Sequence, residues 1–243
     1  MDQVAMLQHS LAAYEADPDR PRTHWQRTLL PETPPVGADP VTWRVVAADV
    51  VAVMAQTPAP AGVMNFASPI TPGGGVEFGI VAQEQSIAKC TYLLPELRQF
   101  AGSYYAQNQA ARDYNGLTAQ LLYTAHCRQV LNAMGAPLVA HYLDVVTIAD
   151  PNRRQFMNLP ETQALAAIEA QINQTLRAFK AHGVRHLILG AYGTGAFGNP
   201  VAPVAECFAR QLRRAEFRGA FATVVFAVTG RSAAAFAQAM PRA

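Results

Sequence analysis

The sequence is poor in charge and in cysteine, and both shortages narrow what the protein can be. Charged residues make up 15% of the 243 residues, against roughly 25% in an average soluble protein, and the formal net charge is only +2. Without a basic cluster, we expect no binding in a nucleic-acid groove. The three cysteines, Cys90, Cys127 and Cys207, are widely spaced and form no CxxC pair. This pattern is typical of free thiols in a reducing cytosol rather than of a disulfide framework.

Other signals are missing as well. There is no run of about 18 apolar residues, so no membrane span is expected, and the first residues lack the basic stretch and apolar core of a secretory leader. These absences predict a cytoplasmic protein. The six histidines stand in no HxxxH or His–Cys spacing, so we expect no metal site and no cofactor. Ser68 and Ser86 lie in no nucleophile elbow, which makes a serine hydrolase improbable.

The length allows one large domain with an extension. Apolar side chains at helical spacing predict a short N-terminal helix that ends near Asp17. Residues 18–41 hold six prolines and are expected to form an extended arm with little regular structure. We therefore divide the chain into residues 1–41, a helix and an arm, and residues 42–243, the main domain.

From residue 43, apolar strand-like runs alternate with helical patterns. The predicted strands are 43–48, 62–66, 119–123, 142–148, 186–190 and 222–228. The predicted helices are about 49–56, 79–89, 161–182 and 232–240, with a further helix that starts at Pro200 behind an N-cap at Asn199. This alternation is typical of a three-layer α/β domain with a mostly buried sheet.

The most informative segment is a glycine triplet, Gly73, Gly74 and Gly75, which follows the predicted strand that carries Asn65. Glycine lacks a Cβ atom, so such a loop can lie flat against a ligand and take positive φ angles. A second triplet stands seven residues further on, at the start of a helical pattern. Its members are two amides that flank one carboxylate: Gln83, Glu84 and Gln85.

A second glycine-rich loop follows the predicted strand 186–190. It includes Gly193, Thr194, Gly195, Ala196, Phe197, Gly198 and Asn199. Its free backbone N–H groups would form an anion site suited to phosphate. The same glycines also match the GxGxxG fingerprint, which raises an NAD-linked oxidoreductase as an alternative. That fingerprint normally lies in the first βα unit, and no Asp or Glu ends the next predicted strand here.

The order of the two loops resembles that of the microbial-type poly(ADP-ribose) glycohydrolases, in which a Gly-Gly-Gly loop precedes a Gln-Glu-Glu triplet. Residues 192–199 match the family's aromatic-Gly-x-Gly-Ala-Phe-x-Asn pattern, and residues 145–152 are similar to its strand and Ala-Pro-Asn turn. The resemblance covers roughly residues 43–230. It implies a macrodomain-like α/β/α fold with a mixed sheet, to which the helical and proline-rich residues 1–41 add an N-terminal extension, and ADP-ribose or an ADP-ribosylated macromolecule as the ligand.

The resemblance also implies roles for individual residues. The two glycine loops are expected to grip the diphosphate, and Asp49 to approach the adenine, although Asp49 suits a helix N-cap equally well. Glu84 and Asn65 are expected to approach the distal ribose, with Gln83 beside them. Phe197 packs either against that ribose or in the core.

The chain departs from the family at the third triplet residue, where Gln85 stands in place of the catalytic glutamate. Hydrolysis of an O-glycosidic bond needs a carboxylic acid to protonate the leaving oxygen, and an amide cannot relay that proton. Three explanations stay open: Gln85 is natural, it is an engineered substitution, or Glu77 or Glu84 supplies the acid. Two functions therefore stay open as well, an ADP-ribosyl glycohydrolase and a non-catalytic ADP-ribose-binding module. The oligomeric state is not predicted.

Overall fold

The computed structural model describes residues 1–111, 117–230 and 232–240. Its centre is a seven-stranded mixed sheet with the strand order β1-β4-β5-β3-β6-β7-β2. The strands are β1 Arg22–Gln26, β2 Trp43–Val46, β3 Ala61–Phe66, β4 Leu121–Leu131, β5 Pro137–Ile148, β6 His186–Leu189 and β7 Thr223–Ala227. The α-helices are α1 Gln3–Ala16, α2 Val50–Met54, α3 Gln83–Cys90, α4 Leu93–Arg98, α5 Ala106–Ala110, α6 Glu161–Ala181, α7 Val201–Leu212 and α8 Ser232–Ala239. Short 3-10 segments occupy Pro72–Phe78 and Ala215–Phe217, and a π-helical turn spans Ala101–Tyr105.

Helices cover both faces of the sheet, which gives the three-layer α/β/α arrangement that the sequence predicts. Side chains along a strand alternate between the two faces, so neighbouring residues of β3 join different cores. Met64 packs with α6, α7 and α8. Val63 packs with α1 to α4. Among the described residues, no helix is both long and apolar enough to cross a membrane.

The direction of the strands decides where a site can form. The five strands β5, β3, β6, β7 and β2 run parallel, and β4 and β1 add antiparallel pairs at one edge. The carboxyl ends of the parallel strands therefore meet at one edge of the sheet. Strand β3 is central: the strand before it in the chain, β2, lies on its β6 side, and the strand after it, β4, lies on its β5 side. Ligands of open α/β sheets bind in the crevice where the connections diverge in this way.

The N-terminal arm differs from the sequence prediction. Residues 22–26 form strand β1, which pairs antiparallel with β4, so the expectation of little regular structure over residues 18–41 is wrong there. The sequence pattern does not predict this strand, because its side chains are mostly polar and lie at the edge of the sheet. Hydrogen bonds to β4 hold it in place. Thr23 fixes the pairing through a 2.9 Å contact between its hydroxyl and that of Thr124.

Two predicted helix starts are also wrong. Helix α3 begins at Gln83 rather than near residue 79, because Gly79 has a φ of +72° and Ala82 is extended. Helix α7 begins at Val201 with Pro200 as its N-cap. The Asn199 side chain does not cap it, because its amide bonds Pro151 and Gly193 instead.

Candidate functional site

The first glycine loop leaves β3 and turns back over the start of α3. Gly73, Gly74 and Gly75 all have positive φ angles, of 70°, 58° and 81°, a region that only glycine enters freely. A Cβ atom on Gly74 would lie 2.3 Å from the Gln85 amide nitrogen and 2.5 Å from a Glu84 carboxylate oxygen. The triplet is therefore required both for the turn and for the close approach of the loop to α3.

Gln83 joins the first turn of α3 to the end of β3. Its side-chain nitrogen donates to the Met64 carbonyl at 2.7 Å, and its side-chain oxygen accepts from the Phe66 N–H at 2.9 Å. Both ends of this amide are used within the protein. The contacts fix α3 against the sheet and thereby position the two residues that follow.

Glu84 is a buried carboxylate at the helix start, with 3% of its surface exposed. One oxygen accepts from the Ser68 N–H at 2.7 Å, and the other lies 3.5 Å from the Asn65 amide nitrogen. Burial raises the pKa of Glu84 to about 8, although hydrogen bonds from Ser68, Asn65 and Gly73 act in the opposite direction. The carboxyl group can therefore hold a proton near neutral pH. Glu84 is therefore not a solvated surface residue.

Gln85 holds the glycine loop in place through its side-chain amide. Its amide nitrogen donates to the Gly74 carbonyl at 2.6 Å, and 6% of its surface is exposed. A carboxylate cannot donate this bond, whereas a protonated carboxyl group can. A glutamate at this position would therefore be held in its acid form by the loop, and the glutamine keeps the bond without a proton to give.

Three of the buried acceptors that lack a partner among the described residues belong to candidate site residues. The side-chain oxygens of Asn65, Gln85 and Asn199 accept no hydrogen bond from any of the described residues. Buried polar groups are normally hydrogen-bonded, and an exception needs an explanation. Hydroxyl groups of a sugar would satisfy such acceptors.

The second glycine loop follows β6, the neighbour of β3. Gly193 has a φ of +71°, and a Cβ atom there would lie 2.0 Å from an Asp150 carboxylate oxygen. Gly195 has open space around its Cβ position, and both it and Ala196 are exposed. The Thr194 hydroxyl bonds the Ala191 carbonyl at 2.9 Å within the loop.

Asn199 anchors the far end of that loop. Its amide nitrogen donates to the Pro151 carbonyl at 2.8 Å and to the Gly193 carbonyl at 3.2 Å, and lies 3.3 Å from the Asp150 carboxylate. The Phe197 carbonyl accepts the Arg153 N–H at 3.0 Å, so the loop is also tied to the turn after β5. The Phe197 side chain itself is half-buried.

Asp150 is a site residue that the sequence reasoning missed. It is 2% exposed, and burial raises the pKa of its carboxyl group well above the usual range. Hydrogen bonds from its own N–H and from the Asn199 amide act in the opposite direction. The available signal was its place directly after an apolar strand, inside the segment 145–152 that matches the family pattern.

The end of β3 contacts the start of the second glycine loop through two aromatic rings. Phe66 at the end of β3 and Tyr192 at the start of the second loop have ring centroids 5.3 Å apart. Asp49 lies on the same sheet edge, behind β2, and is the N-cap of α2, accepting the Val51 N–H at 2.8 Å. Strand β2 is the outermost strand on its side of the sheet, three places from β3, so Asp49 follows a strand distant from the one that carries Asn65.

A surface cavity of about 310 Å³ lies elsewhere, lined by Pro60, Tyr142 and Asp144 near the start of β3. Both oxygens of its Asp144 carboxylate are already used, by Tyr123 and by the His126 N–H. In the part of the chain that the structure describes, no group of three or more His, Cys, Asp or Glu side chains could hold a metal ion.

Comparison with known proteins agrees with this arrangement of loops. The family model described as the microbial-type PARG catalytic domain, where PARG is poly(ADP-ribose) glycohydrolase, matches residues 12–131, which include the first glycine loop and the Gln83–Gln85 triplet. The chain is therefore similar to the microbial-type poly(ADP-ribose) glycohydrolases over this segment. The second glycine loop lies beyond the matched residues, so its likeness to the family depends on the structure.

Solved glycohydrolase structures share the whole fold. A poly(ADP-ribose) glycohydrolase from Thermomonospora curvata superposes with a TM-score of 0.84 at 26% identity, over 98% of each chain. One from Deinococcus radiodurans in complex with ADP-ribose gives a TM-score of 0.74 at 28% identity, over 84% of this chain and 85% of that one. Comparison with curated proteins gives no match.

Proposed function

We propose that the protein binds ADP-ribosyl groups at the carboxyl edge of its sheet, and that it is a glycohydrolase-like protein whose hydrolysis is slowed by Gln85. The observation that carries this proposal is the buried Glu84 between Asn65 and the glycine triplet, beside acceptors that no described residue satisfies. The similarity to a Deinococcus radiodurans glycohydrolase in complex with ADP-ribose supports the choice of ligand.

The ligand groups are assigned from the chemistry of each loop. Both glycine loops let a ligand approach the backbone with few side chains in the way, which suits a diphosphate. The Gly74 and Thr194 N–H groups already donate to the Thr71 and Ala191 carbonyls, so other groups of the loops would have to bind it. We assign Gly73, Gly74 and Gly75 to one side of it and Gly193, Thr194, Gly195 and Ala196 to the other. Asn65, Glu84 and Gln85 then face the distal ribose, and Gln83 positions them by holding α3 against β3. Phe197 and Asn199 lie at the second loop, and Asp49 faces the adenine.

The reaction would need a proton for the leaving oxygen. At the position of the family's catalytic glutamate, Gln85 has none to give, and loss of a general acid typically costs about 10²–10⁴ in rate. Glu84 carries a proton near neutral pH and supplies the residual acid chemistry. Glu77 is the weaker candidate, because its exposed carboxylate is paired with Arg98.

Binding without hydrolysis is the second candidate function. It is favoured by the Gln85 amide, which holds the Gly74 carbonyl at 2.6 Å and so keeps the loop shaped for a ligand with no proton available. The NAD-linked alternative is disfavoured, because the GxGxxG glycines follow β6, whereas that fingerprint belongs to the first βα unit of its fold.

The proposal is tested by the Gly195→Val variant, which we expect to lose affinity for ADP-ribose. Gly195 has no positive φ, and apart from its chain neighbours no atom of the described residues lies within 4 Å of its Cβ position. Valine therefore fits there but would block the approach of a diphosphate. Gly74→Val is a poor choice, because its Cβ would collide with Glu84 and Gln85. The matched control is Gly102→Val, since Gly102 also has open space and lies outside both loops.

Titration calorimetry with ADP-ribose gives the readout. We expect the unaltered chain and Gly102→Val to bind alike, and Gly195→Val to bind at least about tenfold more weakly. Equal affinities in all three chains would refute the assignment of the second loop to the diphosphate.

A further inference from the structure

The cavity of about 310 Å³ beside Asp144 lies near the start of β3, at the opposite edge of the sheet from the glycine loops. It forms because the β4–β5 hairpin extends past the start of β3. The first β3–β5 pair joins Gly62 to Asp144, whereas β5 begins at Pro137. The segment before β3 lines the other side through Pro60. The volume falls within the range of small-ligand pockets, about 300–1,000 Å³.

Two strained backbone positions line this cavity. His126 and Ala140 have φ angles of +57° and +37°, and among the described residues they are the only ones other than glycine with a positive φ. Each lies where the register of β4 and β5 shifts, and such bulges are common next to binding sites, where they redirect a side chain. A residue with a Cβ atom adopts this backbone at a cost. Its occurrence twice around one cavity indicates a shape that is kept for a ligand.

The bulge at His126 forms a flat wall beside a carboxylate. The His126 ring stacks on the Tyr142 ring, with centroids 4.1 Å apart and 9° between the planes. The His126 N–H donates to one Asp144 oxygen at 2.9 Å, and the Tyr123 hydroxyl donates to the other. Each carboxylate oxygen can accept two hydrogen bonds. One acceptor position therefore remains on each oxygen, next to the aromatic wall.

The charges around the cavity favour a cation. Of its nine lining residues, Asp144 is the one acidic residue, and none is lysine or arginine. Asp19 adds a carboxylate 3.9 Å from the imidazole on the wall. His182, the C-cap of α6, stacks on Tyr123 with centroids 3.8 Å apart, and the C-terminal end of a helix attracts cations. The basic residue of the neighbouring strand, Arg22, lies on β1, across β4 from β5.

We propose that this cavity is a second binding site and that it takes a guanidinium group. A planar guanidinium donates two parallel N–H groups to the Asp144 carboxylate while its face stacks on the Tyr142 and His126 wall. An ammonium group is a point charge and lacks this flat fork of donors. The guanidinium belongs either to a free small molecule or to an arginine side chain of a protein, which share this chemistry. The site is independent of the proposed function, which uses the carboxyl edge of the sheet.

An NMR titration of the full chain at about pH 7.5, where histidine is ordinarily neutral, tests the proposal. The probes are N-acetyl-arginine amide, its uncharged analogue N-acetyl-citrulline amide, and a tripeptide with a central arginine. The His126 N–H reports directly, because it donates to Asp144. We expect the arginine compound to shift this resonance saturably, with a dissociation constant of about 1 mM or below. The citrulline compound should bind at least about fivefold more weakly.

The tripeptide separates the two sources of the group. Binding as tight as that of the arginine compound indicates a protein side chain, and its exclusion indicates a free small molecule; either result supports a guanidinium site. Saturable binding of neither arginine probe, or equal binding of the arginine and citrulline compounds, would overturn the proposal.

Substitutions locate the binding. Asp144→Asn should abolish it, but this change also disturbs the bond to Tyr123. Tyr142→Leu is therefore a second variant, which removes the stacking face, leaves Asp144 in place and should weaken binding about two- to fivefold. Val139→Ala, which trims a side chain that is 93% exposed on the same strand, is the matched control, and melting temperatures check that each variant folds. Unaltered affinity in both folded test variants would also overturn the proposal.

Discussion

Replacement of Glu84 by glutamine should make the protein more stable at neutral pH. Glu84 is buried, and its pKa is raised by burial from 4.5 to about 8. Below pH about 4.5 the carboxyl group is protonated in both the folded and unfolded chain, so it adds nothing to the pH dependence. Above that pH the unfolded chain ionises while the folded chain does not. The native state then binds more protons, and stability falls as the pH rises.

The size of the effect follows from the same linkage. One such group lowers the free energy of unfolding by up to about 1.4 kcal/mol per pH unit until the folded pKa is reached. Between pH 5 and pH 7 the loss is about 2 to 3 kcal/mol. Glu84→Gln does not titrate, and its amide keeps an acceptor for the Ser68 N–H. The variant should therefore gain about 2 to 3 kcal/mol on the unaltered chain over this range.

Urea unfolding at pH 5, 6, 7 and 8 measures the difference between the two chains. Subtraction removes the titration of every other group that does not contact Glu84. Glu77→Gln is the control, because its exposed pair with Arg98 contributes at most about 1 kcal/mol. A difference between Glu84→Gln and the unaltered chain that stays constant from pH 5 to pH 8 would refute the argument from burial.

Three further substitutions test other parts of the structure. Asp150→Asn should raise the melting temperature more at pH 8 than at pH 5, because burial raises the pKa of Asp150; an equal shift at both pH values in calorimetry would contradict this. Gly62→Ala should cost about 1–3 kcal/mol, since the new methyl group would lie 2.5 Å from the Phe179 ring, and chemical denaturation with an unchanged midpoint would count against it. Gln83→Ala removes two hydrogen bonds between α3 and β3 and should speed amide hydrogen exchange at Phe66; unchanged exchange would show that α3 is held by other contacts.

Much of the fold could be predicted from the sequence, because the core strands are apolar on both faces. Strand β3 is buried along residues 61–65, so its pattern needs no tertiary information. The antiparallel edge is different. Strand β1 carries no apolar alternation, and it is ordered by its partner β4, so single-sequence propensity could not find it. The hairpin strands β4 and β5 also extend well beyond the predicted 119–123 and 142–148, to Leu121–Leu131 and Pro137–Ile148.

In the candidate site, too, some features can be predicted from the sequence and others depend on tertiary contacts. The glycine loops and the Gln83–Gln85 segment were visible because their residue types are unusual at those positions. The only sequence signal for Asp150 is its place after an apolar strand, because its role depends on the approach of Gly193, whose Cβ position lies 2.0 Å from the carboxylate. Asn199 shows the reverse case. Its position before proline suggests an N-cap. In the structure its buried amide instead contacts Asp150, Pro151 and Gly193 and so stabilises the loop rather than the helix.

The most direct test of the account is the release of ADP-ribose from poly(ADP-ribosyl)ated substrate by the chain as it stands and by Gln85→Glu. The Gly74 carbonyl, 2.6 Å from the Gln85 amide, would hold a glutamate there in its acid form. The account predicts equal binding by both chains and release at least about 10² faster by the glutamate variant. Equal rates of release would contradict it, because Gln85 would then not occupy the position of the proton donor.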